Sequence, residues 1–254
     1  MREKTIDFGF EDIPEHEKQR RVRGVFDSVA SKYDVMNDAM SMGIHRVWKE
    51  MTLTKLNPQP GETLIDVAGG TGDLARTFLK KAAAIQRRRG GANARAVVCD
   101  INAEMLIAGI DERRDNGMDI TRVCGNAEML PFDNNFADAL TISFGIRNVT
   151  DRPKALREFY RVLKPGGRLF ILEFSTPPAK VLREIYDAYS FAVIPPLGGL
   201  LAGDKESYQY LVESIRRFPR QEPFADMVRD AGFARVGYED YTGGIAALHY
   251  GWKI

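Results

Sequence analysis

The stretch Leu64-Ile65-Asp66-Val67-Ala68-Gly69-Gly70-Thr71-Gly72-Asp73 decides the fold. Residues Thr63 to Val67 read as a short buried strand, the glycines as a turn, and Asp73 as the start of a helix. A strand ending in such a turn lets a ligand lie against bare backbone, because glycine has no Cβ and tolerates unusual φ/ψ. A second apolar run, Ala96-Val97-Val98-Cys99, ends in Asp100, where a carboxylate can accept both hydroxyls of a ribose. Glycine turn and acidic strand end together point to a nucleoside cofactor.

A dinucleotide turn reads G-x-G-x-x-G, with the pyrophosphate on the helix N-terminus. Here the spacing is Asp66-x-Ala68-x-Gly70-x-Gly72, and Asp73 places negative charge where the pyrophosphate would lie. Acidic groups beside the turn repel phosphate and suit a cationic ligand. The pattern resembles the first motif of the class I S-adenosylmethionine-dependent methyltransferases, whose ligand carries a sulfonium and an ammonium and no phosphate. An ordinary βα turn with surface acids is the plain alternative. The run from the turn to Asp100 exceeds the roughly 20 residues of a dinucleotide fold, and Arg87-Arg88-Arg89-Gly90-Gly91 reads as an insert accounting for the excess.

At 254 residues the chain can bury one sizeable core and reads as one elaborated domain. A net charge of +1 gives no global drive towards nucleic acid, which is not an expected partner. Cys99 and Cys124, both in apolar runs, read as buried thiols of a reducing compartment, without metal or disulfide spacing. The N-terminus lacks an apolar core for a signal and is too acidic for a transit peptide. No run approaches the roughly 18 apolar residues of a spanning helix. The expectation is a cytoplasmic protein, with peripheral contact at the inner membrane face left open.

Residues 1–60 read as helices and loops, an N-terminal helical cap, with helices over Lys18 to Val29 and Arg46 to Leu56. From residue 61 strands and helices alternate, as a mainly parallel sheet with helices on both faces requires. The pattern predicts a helix over Ala103 to Asn116, strands over Ile120 to Cys124 and Ala139 to Phe144, and a helix from Asp151, its N-cap, to Leu163. Lys164-Pro165-Gly166-Gly167 reads as a turn before a strand over Arg168 to Phe174. A helix over Phe224 to Ala231 stops at Gly232, and strands over Phe233 to Tyr241 and Ile245 to Trp252 follow. The last two are joined too tightly for a parallel crossover. That makes an α/β fold with a seven-stranded sheet, mainly parallel, with an antiparallel strand at one edge. An apolar insert at about 177–218, helical over Lys180 to Val193 and Tyr208 to Arg217, reads either as a lid at the carboxyl edge of the strands or as extra core.

Three further segments narrow the reading: Tyr33-Asp34-x-Met36-Asn37-x-x-Met40-Ser41-x-x-x-His45-x-x-Trp48, Ser143-Phe144-Gly145-Ile146-Arg147-Asn148-Val149-Thr150, and Arg161-Val162-Leu163-Lys164-Pro165-Gly166-Gly167-x-Leu169-x-x-Leu172-Glu173-x-Ser175. Together they closely resemble the ubiquinone/menaquinone biosynthesis C-methyltransferases, the UbiE family, from about residue 20 to the end. The resemblance implies S-adenosylmethionine as cofactor. It also implies methylation of a ring carbon of a polyprenylated quinol, a 2-methoxy-6-polyprenyl benzoquinol or a demethylmenaquinol. It leaves room for a homodimer, for partner proteins of quinone synthesis and for peripheral membrane contact. An NAD-dependent oxidoreductase is disfavoured by the turn spacing; a non-catalytic cofactor-binding component of a quinone-synthesis assembly is the remaining rival.

By motif position, Gly70, Thr71 and Gly72 are expected beside the methionine portion, and Asp66 holds the turn and the cofactor ammonium. Asp100 takes the ribose hydroxyls, Asn126 and Ala127 read the adenine edge, and Ser143 lies nearest the transferring methyl. A neutral quinol carbon is a poor nucleophile, so the site must orient the ring and stabilise or accept a hydroxyl proton. Arg147, which hardly ever deprotonates, is expected to stabilise the phenolate and Asn148 to fix a hydroxyl. His45 is the second candidate base, and Tyr33 and Asp34 are expected to close over the cofactor. The basic runs Lys18 to Arg23 and Arg87 to Arg89 read as solvated faces.

Overall fold

The computed structural model describes residues 5–29, 38, 41, 43–196, 199 and 205–254. The expectations for Tyr33 and Asp34, and for residues 197, 198 and 200–204 of the apolar insert, lie outside them. Strand β3 (Thr63–Val67) is buried along its whole length. It pairs in parallel with β4 (Arg95–Asp100) on one side and β6 (Ala137–Ser143) on the other. With β5 (Ile120–Cys124), β7 (Leu163–Phe174), β8 (Ala234–Tyr241) and β9 (Ala246–Trp252) the sheet runs β5-β4-β3-β6-β7-β9-β8. The antiparallel strand expected at that edge is β9, slotted between β7 and β8 and antiparallel to both.

Strand alternation sorts the core onto two faces. Leu64, Val98, Ala139, Phe170 and Leu172 join a cluster with Trp48, Leu53, Leu74 and Phe78 from α2 (His45–Leu56) and α3 (Asp73–Arg89). Ile65, Val67, Leu140, Ile142, Leu169 and Ile171 join Leu156 and Phe159 of α6 (Arg152–Val162) and Phe224 and Val228 of α9 (Gln221–Asp230) on the other. Helix α6 buries Ala155, Leu156, Phe159 and Val162, one stripe at helical spacing. Asp151 caps it as expected, its Oδ1 accepting the Lys154 N–H at 2.9 Å.

Several local expectations are corrected. Arg87 to Arg89 form the last turn of α3, where positive charge suits the helix dipole, so they extend the helix and insert nothing into a loop. The helix expected over Ala103 to Asn116 is two, α4 (Ala103–Ala108) and α5 (Glu112–Asp115). They part at Gly109, where a Cβ would come within 2.6 Å of the Thr71 carbonyl oxygen. Lys164 to Gly167 belong to β7 as a bulge, the pairing jumping from Ala137↔Leu163 to Ala139↔Arg168. Cys124 is exposed because β5 is an edge strand; Cys99 is buried, as read.

The N-terminal segment holds a hairpin, β1 (Thr5–Phe8) and β2 (Glu11–Pro14), before α1 (Glu15–Val29). It docks on α8 (Lys205–Arg217): Phe8 stacks on Tyr210 at 4.2 Å, and the Phe10 N–H donates to Glu213 at 3.0 Å. Asp7 stands between Lys18, at 3.4 Å, and Arg152, at 3.7 Å. Lys18 is therefore no part of a solvated face; burial lowers its pKa. Within the insert, α8 buries Tyr208, Leu211, Val212 and Ile215 as extra core. Helix α7 (Lys180–Ala192) leaves Val181 and Ile185 exposed. Among the described residues no helix is long and apolar enough to cross a membrane.

Candidate functional site

The carboxyl ends of β3, β4, β5 and β6 open into one cleft, where an open α/β sheet binds ligands. It encloses about 860 Å³ of non-atom space, open solvent at its mouth included. Two strand ends enter it in strained conformations: Ala68 has φ +49° and Phe144 has φ +59°, both left-handed and both non-glycine. Such backbone persists only where the surroundings impose it, and it turns the chain sharply away from the sheet edge. Gly145, the next residue, must be small, since a Cβ there would meet the Ala68 Cβ at 2.6 Å.

Asp100 ties the floor together. Its Oδ2 accepts the Gly70 N–H and its Oδ1 the Asn102 N–H, both at 2.9 Å. Burial raises its pKa, and the backbone N–H donors oppose that shift. Asp66 lies under the turn and outside the cleft lining. Its Oδ1 accepts from the Thr141 hydroxyl at 2.7 Å, while Oδ2 is buried with no partner among the described residues. Burial pushes this carboxyl up to about 7. Gly69 is required beside it, because a Cβ would fall 2.8 Å from both Oδ2 and the Asp66 carbonyl oxygen.

Of the expected cofactor residues, the structure brings Gly70, Asp100, Asn126 and Ala127 together in the lining. Thr71 and Gly72 do not line it. Gly72 caps α3 with φ +84°, and the Thr71 carbonyl accepts from Arg76 at 2.8 Å. Ser143 is absent from the lining too; its hydroxyl is buried without a partner. Reading the motif missed Val22 and Arg23 of α1, Met105, Glu128 and Phe144, all of which line the cleft. The basic run containing Arg23 carried no sign that its helix folds back over the sheet edge.

Arg147 and Asn148 lie in a single 3-10 turn after β6. Arg147 is buried outside the cleft lining, its Nη1 donating to Glu173 Oε1 and to the Phe144 carbonyl, each at 2.7 Å. Its Nε and Nη2 have no partner among the described residues. Asn148 lines the cleft. His45 is buried against Ser41, 3.1 Å from its Nδ1, with Asp38 at 3.5 Å, and its ring meets Phe144 edge-on. Burial lowers its pKa to about 4. An enclosed neutral imidazole with so low a pKa is poorly placed to accept a substrate proton.

These groups fit an elongated nucleoside with a cationic end: backbone N–H and carboxylate on the floor, and an unpaired Asp66 oxygen beneath the turn. Comparison with known proteins agrees. Residues 14–253 match the model of the ubiE/COQ5 methyltransferase family. The chain is 56% identical to the ubiquinone/menaquinone biosynthesis C-methyltransferase of Caulobacter vibrioides over 254 residues, 100% of each chain. It is 50% identical to the mitochondrial 2-methoxy-6-polyprenyl-1,4-benzoquinol methylase of Danio rerio, covering 99% of this chain and 85% of that one. Among solved structures, a Thermotoga maritima S-adenosylmethionine-dependent methyltransferase superposes with a TM-score of 0.61 at 19% identity, covering 92% of this chain and 100% of that one. At that identity the likeness speaks for fold alone.

Proposed function

The chain belongs to the ubiE/COQ5 methyltransferase family, and from that premise we propose that it methylates a ring carbon of a polyprenylated quinol, either 2-methoxy-6-polyprenyl-1,4-benzoquinol or demethylmenaquinol. S-adenosylmethionine is the methyl donor, and when bound it supplies an electrophilic carbon on a sulfonium. Asp100 would accept the ribose hydroxyls, Asn126 and Ala127 would border the adenine, and Gly70 would pass beside the methionine portion. The unpaired Asp66 oxygen would take the ammonium, directly or through water. Thr71 and Gly72 would act through the shape of the turn, and Ser143 would support the β6 end nearest the reacting carbon.

The observation that carries the acceptor chemistry is the set of orphaned donors after β6, Arg147 Nε and Nη2 and Asn148 Nδ2. Buried N–H groups without partners are costly, and they are met where a ligand oxygen completes them. An ionised quinol oxygen is such a ligand, and ionisation also makes the neighbouring ring carbon nucleophilic. Arg147, held by Glu173, would stabilise that charge without giving up its own proton. His45 would serve packing. Residues 1–60 would form a cap over the cofactor, and 177–218 the substrate wall of a domain spanning 61–254.

The test is methyl transfer from isotopically labelled S-adenosylmethionine to short-tailed benzoquinol and demethylmenaquinol acceptors under reducing conditions. Label on a ring carbon is the expected result, and the ratio between acceptors names the preferred one. Tight cofactor binding with no transfer to either would sink the reading.

A further inference from the structure

The Asn148 amide can present either of two opposite groups to the cleft. A carbonyl would accept the proton of a neutral quinol hydroxyl; an NH2 would donate to an ionised quinol oxygen. The side chain alone does not choose between them. Its neighbour does. Tyr210, from α8, donates its hydroxyl to Asn148 Oδ1 at 3.0 Å. Asn148 Nδ2 is then left buried and, among the described residues, without a partner, on a residue that lines the cleft.

Tyr210 is itself held on both sides. It is 5% exposed, and its ring stacks on Phe8 with planes 22° apart. The charged groups facing it are Arg147 in the 3-10 turn, Arg152 at the start of α6, Asp7 in β1 and Glu173 in β7. Two are cations and two are anions, so their fields on the hydroxyl oppose one another. Burial raises the Tyr210 pKa, so the hydroxyl keeps its proton and remains a donor through the neutral range.

We propose that Tyr210 is a positioning residue that locks the Asn148 carbonyl away from the substrate, so that the amide NH2 is presented as a donor to the ionised oxygen of the quinol. The inference rests on the quinol reading and adds to it the residue that sets the donor: the Asn148 amide is held in its orientation by Tyr210. In the step itself, the ring carbon forms a bond to the methyl carbon as the carbon–sulfur bond breaks and its electron pair goes to sulfur. The ring proton at that carbon is then lost to water, its bonding pair returns to the ring and the aromatic quinolate is restored. The quinol oxygen carries its charge before the bond forms, and the Asn148 donor acts there.

Tyr210→Phe keeps the stacked ring and removes only the hydroxyl. Cofactor affinity, measured by calorimetry, is expected to stay within about twofold, while kcat falls about tenfold or more, as for loss of one preorganised donor. The loss should shrink along a series of acceptors with increasingly acidic hydroxyls, and the apparent pKa in the kcat profile should move up. Asn148→Ala added to Tyr210→Phe should cost little more, because the two residues act as one unit. Asn148→Asp gives an independent reading in a chain that keeps Tyr210: a carboxylate cannot donate, so its rate should fall at least as far as that of Asn148→Ala. An unchanged kcat in Tyr210→Phe, or an Asn148→Asp variant as fast as the parent, would overturn the inference while leaving the quinol activity in place. A parent chain that binds cofactor but methylates neither acceptor would overturn both.

Discussion

Asp66 has one oxygen bonded to Thr141 and the other bonded to nothing, and burial has pushed its carboxyl up to about 7. Before ligand arrives, the group that would receive an ammonium is therefore half protonated at neutral pH. Only the ionised form pairs with a cation, so affinity for S-adenosylmethionine should rise as pH increases through about 7 and fall away below it. Calorimetry between pH 6 and 8 should trace that slope in the parent, and Asp66→Asn should flatten it; an equally steep slope in the variant would remove Asp66 from ammonium binding. Asp100 makes a simpler case. It holds two backbone N–H groups of the cleft floor besides any ribose. Asp100→Ala should cut cofactor affinity by about a hundredfold or more, since hydrogen bonds to a charged group contribute roughly 1.5–3 kcal/mol each. Near-parental affinity would contradict the ribose assignment.

At the scale of the element, α6 and α7 make a useful contrast. The former buries its apolar stripe against the sheet, and Phe159 is fully enclosed in it. Phe159→Ala should cost about 3–5 kcal/mol by urea unfolding, the usual loss for emptying such a site. Helix α7 instead leaves Val181 70% and Ile185 62% exposed, and Phe191 at its end stacks on the exposed Phe10 of the hairpin at 6.1 Å. Lys180 at its start pairs with Glu184 at 3.8 Å, and Arg217 donates to the Phe10 carbonyl at 3.2 Å. The peripheral membrane contact that the sequence leaves open would fall to these exposed apolar side chains. Ile185→Glu should lower turnover of long-tailed quinol in anionic vesicles and leave short-tailed, dissolved quinol untouched; equal losses on both would contradict contact between this helix and lipid. Much of this scale was legible. The limits of β3 and β5 follow from apolar runs and their stops, because those signals are local, whereas α9 was expected from Phe224 and begins at Gln221. The hairpin was not legible: two four-residue strands carry too little alternation, and they form because α8 receives Phe8 and Phe10. Gly109 splits its helix for a reason lying 38 residues upstream, the Thr71 carbonyl. Likewise the motif places Arg147 at the end of β6, but only the paired sheet shows that Glu173, on β7, engages one end of its guanidinium and leaves the other bare.

For the molecule as a whole, buried titratable groups pull stability in opposite directions with pH. His45 and His249 are both lowered from 6.5 to about 4 by burial, so the unfolded chain takes up protons first as pH falls. Their contribution is present above about 6.5 and is lost as pH drops towards 4. Asp66, raised to about 7, has the opposite sign: its contribution is full below about 4 and is lost as pH rises through 7. Melting temperatures taken from pH 7 to 4.5 should therefore fall less steeply in His249→Gln than in the parent, and more steeply in Asp66→Asn. The same slope in all three chains would mean that these groups do not set the acid limit. The docked hairpin has a consequence of another kind. Phe10 binds Glu213, some 203 residues later in the chain, and α1, which follows the hairpin, supplies one wall of the cofactor cleft. During synthesis on a ribosome the hairpin and the helix after it lack the element they dock on until α8 has left the exit tunnel. The glycine turn and its strand are made early, but the nascent chain acquires a closed cofactor cleft only near the end of translation.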